Sequence, residues 1–291
     1  MAGSTLAARA LGRQLAMHRT RAGMTRYAAA QVVETSQQTL ARIEDGLKAK
    51  VPDLWINALA NAFSCTDQER RTLLGLAHEL RSAQKSWWRA YADEMREGFD
   101  HYVGLEESAR RMSTWRVTVI PGLLQTPEYR RAIAWTESPD MPTEQVEKRL
   151  EMAGRRQARL ADPSFAIDVL LSEAALRDQI GGASVLANQL RRLAEMSELP
   201  NVSVRAVPFD APHHLGSLVG SFVLLEFPKL SATGMTEPPV VYVEEHAGDL
   251  YLERESEVNR YRDAYTEIGR VALDVDMTRQ LMLSIAKECG E

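Results

Sequence analysis

The chain has 291 residues, 45% of them hydrophobic and 26% charged, with 40 acidic side chains against 35 basic ones. That length suits one small and one larger globular domain, and no apolar run approaches the roughly twenty residues of a membrane span. The overall acidity argues against nucleic acid as a partner, but the charge is uneven: residues 1–52 carry eight Lys/Arg against three acids, net +5, and the remainder nets −10. Exposed charges interact over roughly 10 Å at ordinary salt, so the local balance decides, and the first fifty residues are free to approach phosphate.

The N-terminal stretch "MAGSTLAARALGRQLAMHR" scatters arginines where a secretion signal needs an unbroken apolar segment, so a cytoplasmic location is expected. Its Leu11 and Leu15 predict a first helix that stops near Ala22-Gly23. Thr25 is placed to cap a second helix with Ala29, Val32 and Val33 on its apolar face. Ser36 is placed to cap a third, running to Asp45, with Leu40 and Ile43 inward and Gly46 as its stop. After Pro52, Leu54, Ala58, Leu59, Ala62 and Phe63 predict a fourth helix. Thr66 or Asp67 opens a fifth, carrying Leu73, Leu74, Ala77 and Leu80.

Two short helices joined by a tight turn fit the DNA major groove when the second presents amides and arginine. Gln37 and Gln38 each offer the donor–acceptor pair that matches adenine, and Arg42 suits guanine or a phosphate. The string "AGMTRYAAAQVVETSQQTLARIEDGLKAKVPDLWINALANAF" resembles the helix-turn-helix of the phage repressor/XRE family. The resemblance implies that Gln37, Gln38, Thr39 and Arg42 face base edges or nearby backbone and that Lys48 and Lys50 face phosphates, with Ser36, which opens the helix, counted among the DNA-binding residues. Two positions depart from the family pattern. Arg26 replaces the usual glutamine at the start of helix two, implying a phosphate clamp or an altered outer base contact. Glu34 replaces the glycine of the inter-helix turn.

From about Ser82 the chain becomes aromatic and is predicted helical through Trp87, Trp88, Tyr91, Phe99, Tyr102 and Leu105, most simply as a packed connection. Val117–Ile120 predicts a short strand, Pro121-Gly122 a turn and Thr126-Pro127 a helix start. Residues 143–162 predict a charged amphipathic helix whose Arg155, Arg156 and Arg159 read as a solvated face. Beyond Pro163 strand and helix alternate, and two helices close the chain. The expected architecture is multi-domain: an all-α helix-turn-helix domain over 1–81, then a larger α+β domain over 82–291.

The motifs "VIPGLLQTPEYRRA", "LSEAAL", "PNVSVRAVPFDAPHH", "GSFVLLEF" and "VVYVEEHAGDLYLE" resemble, in order, the large C-terminal domain of WhiJ-type actinobacterial regulators. The resemblance implies a transcriptional regulator, often accompanied by a small protein encoded nearby. It carries over no ligand and no catalytic residue.

Signatures of chemistry are sparse. Ser217 is misplaced for a nucleophile elbow, "IGGAS" lacks a phosphate-loop lysine, and the adjacent His213 and His214 cannot close a metal site by themselves. Cys65 and Cys289 form no CxxC or Cys/His spacing, so no metal or cofactor is expected. Trp115, Gln125, Tyr129, Arg130, Tyr242 and Glu244 either line a ligand or partner pocket or satisfy buried backbone groups. Three functions stay open: a DNA-binding regulator, homodimeric on an inverted repeat and sensing a small molecule or partner protein; a nucleotide-using enzyme resembling ADP-ribosyltransferases through Glu244; and a partner-binding adaptor.

Overall fold

Hydroxyl side chains set where three helices of the N-terminal region, the second, third and fifth, begin. The computed structural model describes residues 3–47, 50–82, 86–96 and 98–290. Helix α1 spans Gly3–Arg21, and α2 (Arg26–Val32) starts where the Thr25 side chain accepts from the Ala28 amide. Helix α3 (Gln37–Glu44) starts where Ser36 accepts from the Thr39 amide at 3.0 Å. Helix α4 spans Asp53–Ala62. Helix α5 (Asp67–Ser82) opens on a reciprocal pair: the Thr66 amide donates to Glu69, and the Glu69 amide donates to Thr66. Gly23 (φ 66°) and Gly46 (φ 72°) supply the left-handed backbone that ends α1 and α3.

The turn between α2 and α3 takes the same conformation without a glycine, for Glu34 sits at φ 50°. A side chain there costs about 1 kcal/mol relative to glycine. Glu34→Gly is therefore expected to raise the melting temperature of this unit by roughly 4–8 °C. A fall on thermal unfolding would mean that the Glu34 side chain makes a favourable contact exceeding its backbone cost.

Beyond Ser86 the expected connecting helix is broken. A 3₁₀ stretch covers Trp87–Glu94, and α6 covers Phe99–Ser108. Strand β1 then occupies Arg111–Arg116, ahead of the Val117–Ile120 segment expected from its β-branched residues. The displacement follows from pairing. β1 has β2 (Ala166–Ser172) on one side and β4 (Phe222–Glu226) on the other, and both ladders end by Arg116. Past that point the Val117 amide turns to the Ser221 hydroxyl.

The crossover from β1 to β2 contains α7 (Pro127–Glu137) and α8 (Thr143–Gln157); the next contains α9 (Glu173–Arg177) and α10 (Ala183–Met196) and leads to β3 (Val202–Val207). Strands β5 (Val240–Glu245) and β6 (Gly248–Leu252) form a hairpin, followed by α11 (Glu255–Val271) and α12 (Val275–Glu288). The sheet order is β3-β2-β1-β4-β5-β6, with β1, β2 and β3 parallel and the other pairings antiparallel. Two parallel crossovers joined to an antiparallel half make this an α+β domain. Trp115, Leu170, Phe222, Val241 and Val243 form a core with Val258 and Ile268 of α11.

By contact density the chain divides into two units. One gathers Met1–Arg89, Val103–Ser108 and Phe227–Glu237; the other gathers Ala90–Tyr102, Ala109–Glu226 and Pro238–Glu291. The first is all helix apart from its short inserted segments, and α1 packs on both α3 and α5. Leu11, Leu15, Leu40, Ile43, Leu59, Phe63 and Leu73 are buried there, as their spacing implies. Two positions differ from expectation. Leu54 is 78% exposed and Ile56 takes the inward place, while on α2 Ala30 is buried and Val32 faces outward. Among the described residues, no helix is long and apolar enough to cross a membrane.

Candidate nucleic-acid interface

Helix α3 has two unlike faces. Leu40, Ile43 and Glu44 are buried, whereas Gln37, Gln38 and Arg42 are exposed, with Thr39 half-buried beside them. Residues 38 and 42 lie one turn apart, so an amide and a guanidinium project from the same outward strip. Ser36 spends its hydroxyl on the cap, accepting from the Thr39 amide and donating to Thr39 Oγ1 at 3.0 Å. Its role is to fix where the helix starts. Lys50 is exposed after α3, and Lys48 lies outside the described residues.

Most of the basic charge in this region is already engaged. Glu44, buried at the end of α3, receives Arg19 at 2.6 and 3.0 Å and Arg26 Nε at 2.7 Å. Arg26 thus joins the two helices, and its pairing with Glu44 holds its pKa above the usual arginine value. Arg21 is bidentate to Glu69, and Arg13 pairs with the buried Glu237. Among the described residues, Arg42 and Lys50 make no ion pair. The net +5 read from sequence therefore overstates the charge available to phosphate, because acids at 69 and 237 offset part of it.

In the other unit, the six residues grouped as a pocket fall into three places. Tyr242 and Glu244 meet at Arg96, whose Nη2 donates to Tyr242 Oη at 2.8 Å and lies 2.9 Å from Glu244 and 2.8 Å from Asp249. Glu244 also has Arg116 at 3.9 Å. Burial pushes the Arg130 pKa down, and Arg130 shares this electrostatic neighbourhood with Glu137, Arg156, Arg149 and Glu244. Gln125 donates to the Ile120 carbonyl at 2.6 Å and Tyr129 is fully buried. The Gln125 Oε1 and the Tyr129 hydroxyl have no hydrogen-bond partner among the described residues. Trp115 stands apart, donating to the Val219 carbonyl at 3.3 Å with its ring edge-on to His214.

A family model described as a domain of unknown function, DUF5753, matches residues 99–284. The chain belongs to the DUF5753 family. A helix-turn-helix domain model matches residues 10–73, a span that includes α2 and α3 and suggests DNA binding by this region. No curated protein and no solved structure matches significantly.

Within the DUF5753 region the arginines expected on a solvated face divide: Arg155 is exposed as expected, whereas Arg156 is buried and Arg159, just past α8, is half-buried. Arg156 is buried, with its guanidinium over the rings of Phe99 at 5.4 Å and Tyr102 at 5.9 Å. Arg159 lies 4.6 Å from the Phe165 ring, and Arg155 lies 5.3 Å from that of Tyr91. Stacking on aromatic faces lets Arg156 and Arg159 leave water. Arg96 was also missed. Its signal, an isolated arginine in an acidic stretch, has no periodicity, and its partners lie some 150 residues away in the β5–β6 hairpin.

Proposed function

We propose that this chain is a sequence-specific transcriptional regulator of the XRE type that reads DNA with α3. The carrying observation is the outward strip of Gln37, Gln38 and Arg42 on a capped helix whose opposite face is locked in the core. Gln37, Gln38 and Arg42 read base edges in the major groove, Thr39 borders them, and Lys50 with Lys48 faces phosphates. Arg26 orients α2 against α3 through Glu44 and touches the backbone with its remaining exposed edge. One such helix covers few base pairs, so the operator is an inverted repeat bound by a homodimer in the cytoplasm. The DUF5753 domain, in the manner of WhiJ-type regulators, responds to a small molecule or to a small partner protein. Only a signal that binds one arrangement of the regulator better than another shifts its grip on DNA.

A mobility-shift titration on the chain's own promoter tests this reading. Binding should weaken steeply with salt. Replacing Gln37 and Gln38 together by alanine should reduce discrimination between operator and mutated operator by roughly 10- to 100-fold, with the melting temperature unchanged. Discrimination that survives the double substitution would refute the assignment of α3.

A further inference from the structure

A histidine from α1 meets a cysteine and a glutamate nearly fifty positions later in the helical unit, and nothing in the DNA-reading face uses them. His18 comes from the last turn of α1, Cys65 from the turn after α4, and Glu69 from the first turn of α5. One ligand atom from each, imidazole nitrogen, thiol sulfur and carboxylate oxygen, lies within 4.8 Å of the other two. Sequence spacing concealed the group: Cys65 stands in no CxxC or Cys/His motif, and although Glu69 lies one turn further on, His18 reaches the pair only through the packing of α1 on α5.

The histidine points to a ligand. His18 is 1% exposed, yet its Nδ1 is buried with no hydrogen-bond partner among the described residues, and the nearest acid, Glu69 Oε1, stands 3.9 Å away. An unmet buried nitrogen costs roughly 1–3 kcal/mol, so such atoms normally have a purpose. The carboxylate is already oriented. Arg21 holds both its oxygens from outside, and the Thr66 amide donates to Oε2 at 2.8 Å. Groups that hydrogen-bond a ligating carboxylate in this way serve a metal site as its outer shell.

We propose that His18 Nδ1, Cys65 Sγ and Glu69 Oε1 form a binding site for a thiophilic divalent cation, zinc(II) in the first instance. Thiolate with imidazole and one carboxylate excludes the hard cations magnesium and calcium and suits tetrahedral zinc, with water in the fourth position. Bonds of about 2.0–2.3 Å place tetrahedral ligands some 3.3–3.8 Å apart, so closure needs a contraction of about 1 Å. The thiol proton leaves to solvent on binding. The ion would clamp the end of α1 to the start of α5, and α1 is the helix on which α3 rests. This site is independent of the base-reading face and stands whether or not Gln37 and Gln38 read an operator.

Cobalt(II), a spectroscopic stand-in for zinc, supplies the test on the full chain. One equivalent should give a thiolate-to-cobalt charge-transfer band that zinc abolishes. Cys65→Ser should remove the band, and Cys289→Ser should leave it. His18→Gln and Glu69→Gln should weaken binding about tenfold or more, the loss that even outer partners cause. Absence of the band, or its persistence in Cys65→Ser, overturns the site. Should Cys65→Ser fail to fold, alkylation of the unmutated chain decides: zinc should slow modification of Cys65 and leave that of Cys289 unchanged. Equal rates at Cys65 with and without zinc refute the proposal.

Discussion

Replacing Gly12 by alanine is expected to lower the melting temperature of the helical unit by roughly 10–20 °C, equivalent to about 3 kcal/mol. Helix propensity alone points the other way, since alanine is favoured over an interior glycine by about 1 kcal/mol. Contact geometry decides. A Cβ on Gly12 would press on the carbonyl oxygens of Ile43 and Glu44 and lie 2.8 Å from the Glu44 carbonyl carbon. These are backbone atoms at the end of α3 and cannot swing aside as a side chain would. α1 must instead retreat, loosening the contacts among Leu11, Leu15, Leu40 and Ile43. Operator affinity should fall with stability, because the strip on α3 is aimed by this contact. Gly154 in α8 is the control, as nothing lies within 4 Å of a Cβ placed there. Gly154→Ala should stabilise by about 0.5–1 kcal/mol. Differential scanning calorimetry of both variants checks the contrast, and a neutral Gly12→Ala would refute the close approach of α1 to α3.

The second large effect concerns Glu44. Its side chain is 1% exposed and accepts from Arg19 and Arg26. A negative charge at a helix C-terminus is itself unfavourable, by about 0.3–1 kcal/mol, so the two arginines must outweigh that cost. Glu44→Gln keeps the shape and removes the charge, leaving Arg19, with its side chain 15% exposed, beside no counter-ion. Breaking one side of a buried pair costs roughly 3–5 kcal/mol. Arg26 is 40% exposed and can turn to water, which puts the expected loss near the lower figure, about 3 kcal/mol. Chemical denaturation of Glu44→Gln, Arg26→Gln and the double variant measures the coupling. A loss below about 1 kcal/mol would mark the cluster as an ordinary surface pair.

Residues that act on their immediate neighbours were readable in advance. Thr25, Ser36 and Thr126 cap the helices they precede, and Gly23 and Gly46 end α1 and α3, because capping is settled within four residues. The α+β character of the larger domain was legible from its alternating segments. Strand β1 was not. Met112, Ser113, Thr114 and Trp115 are all buried because the strand is covered on both faces, so it shows no alternation, while the β-branched residues after it do. The partners of Arg96, Arg156 and His18 were equally invisible, since each pairing joins residues that only tertiary packing brings together. Local charge misled for the same reason: Glu237 meets Arg13 across 224 positions.

That last pairing governs how the protein can be made. The ribosome releases α1 to α5 before Phe227–Glu237, which completes the same unit and carries the partner of Arg13 224 positions further along. Until then Arg13 lacks its carboxylate and α1 carries more uncompensated positive charge than in the folded unit. The helical unit thus reaches its finished geometry only after a segment translated long after its five helices has joined it.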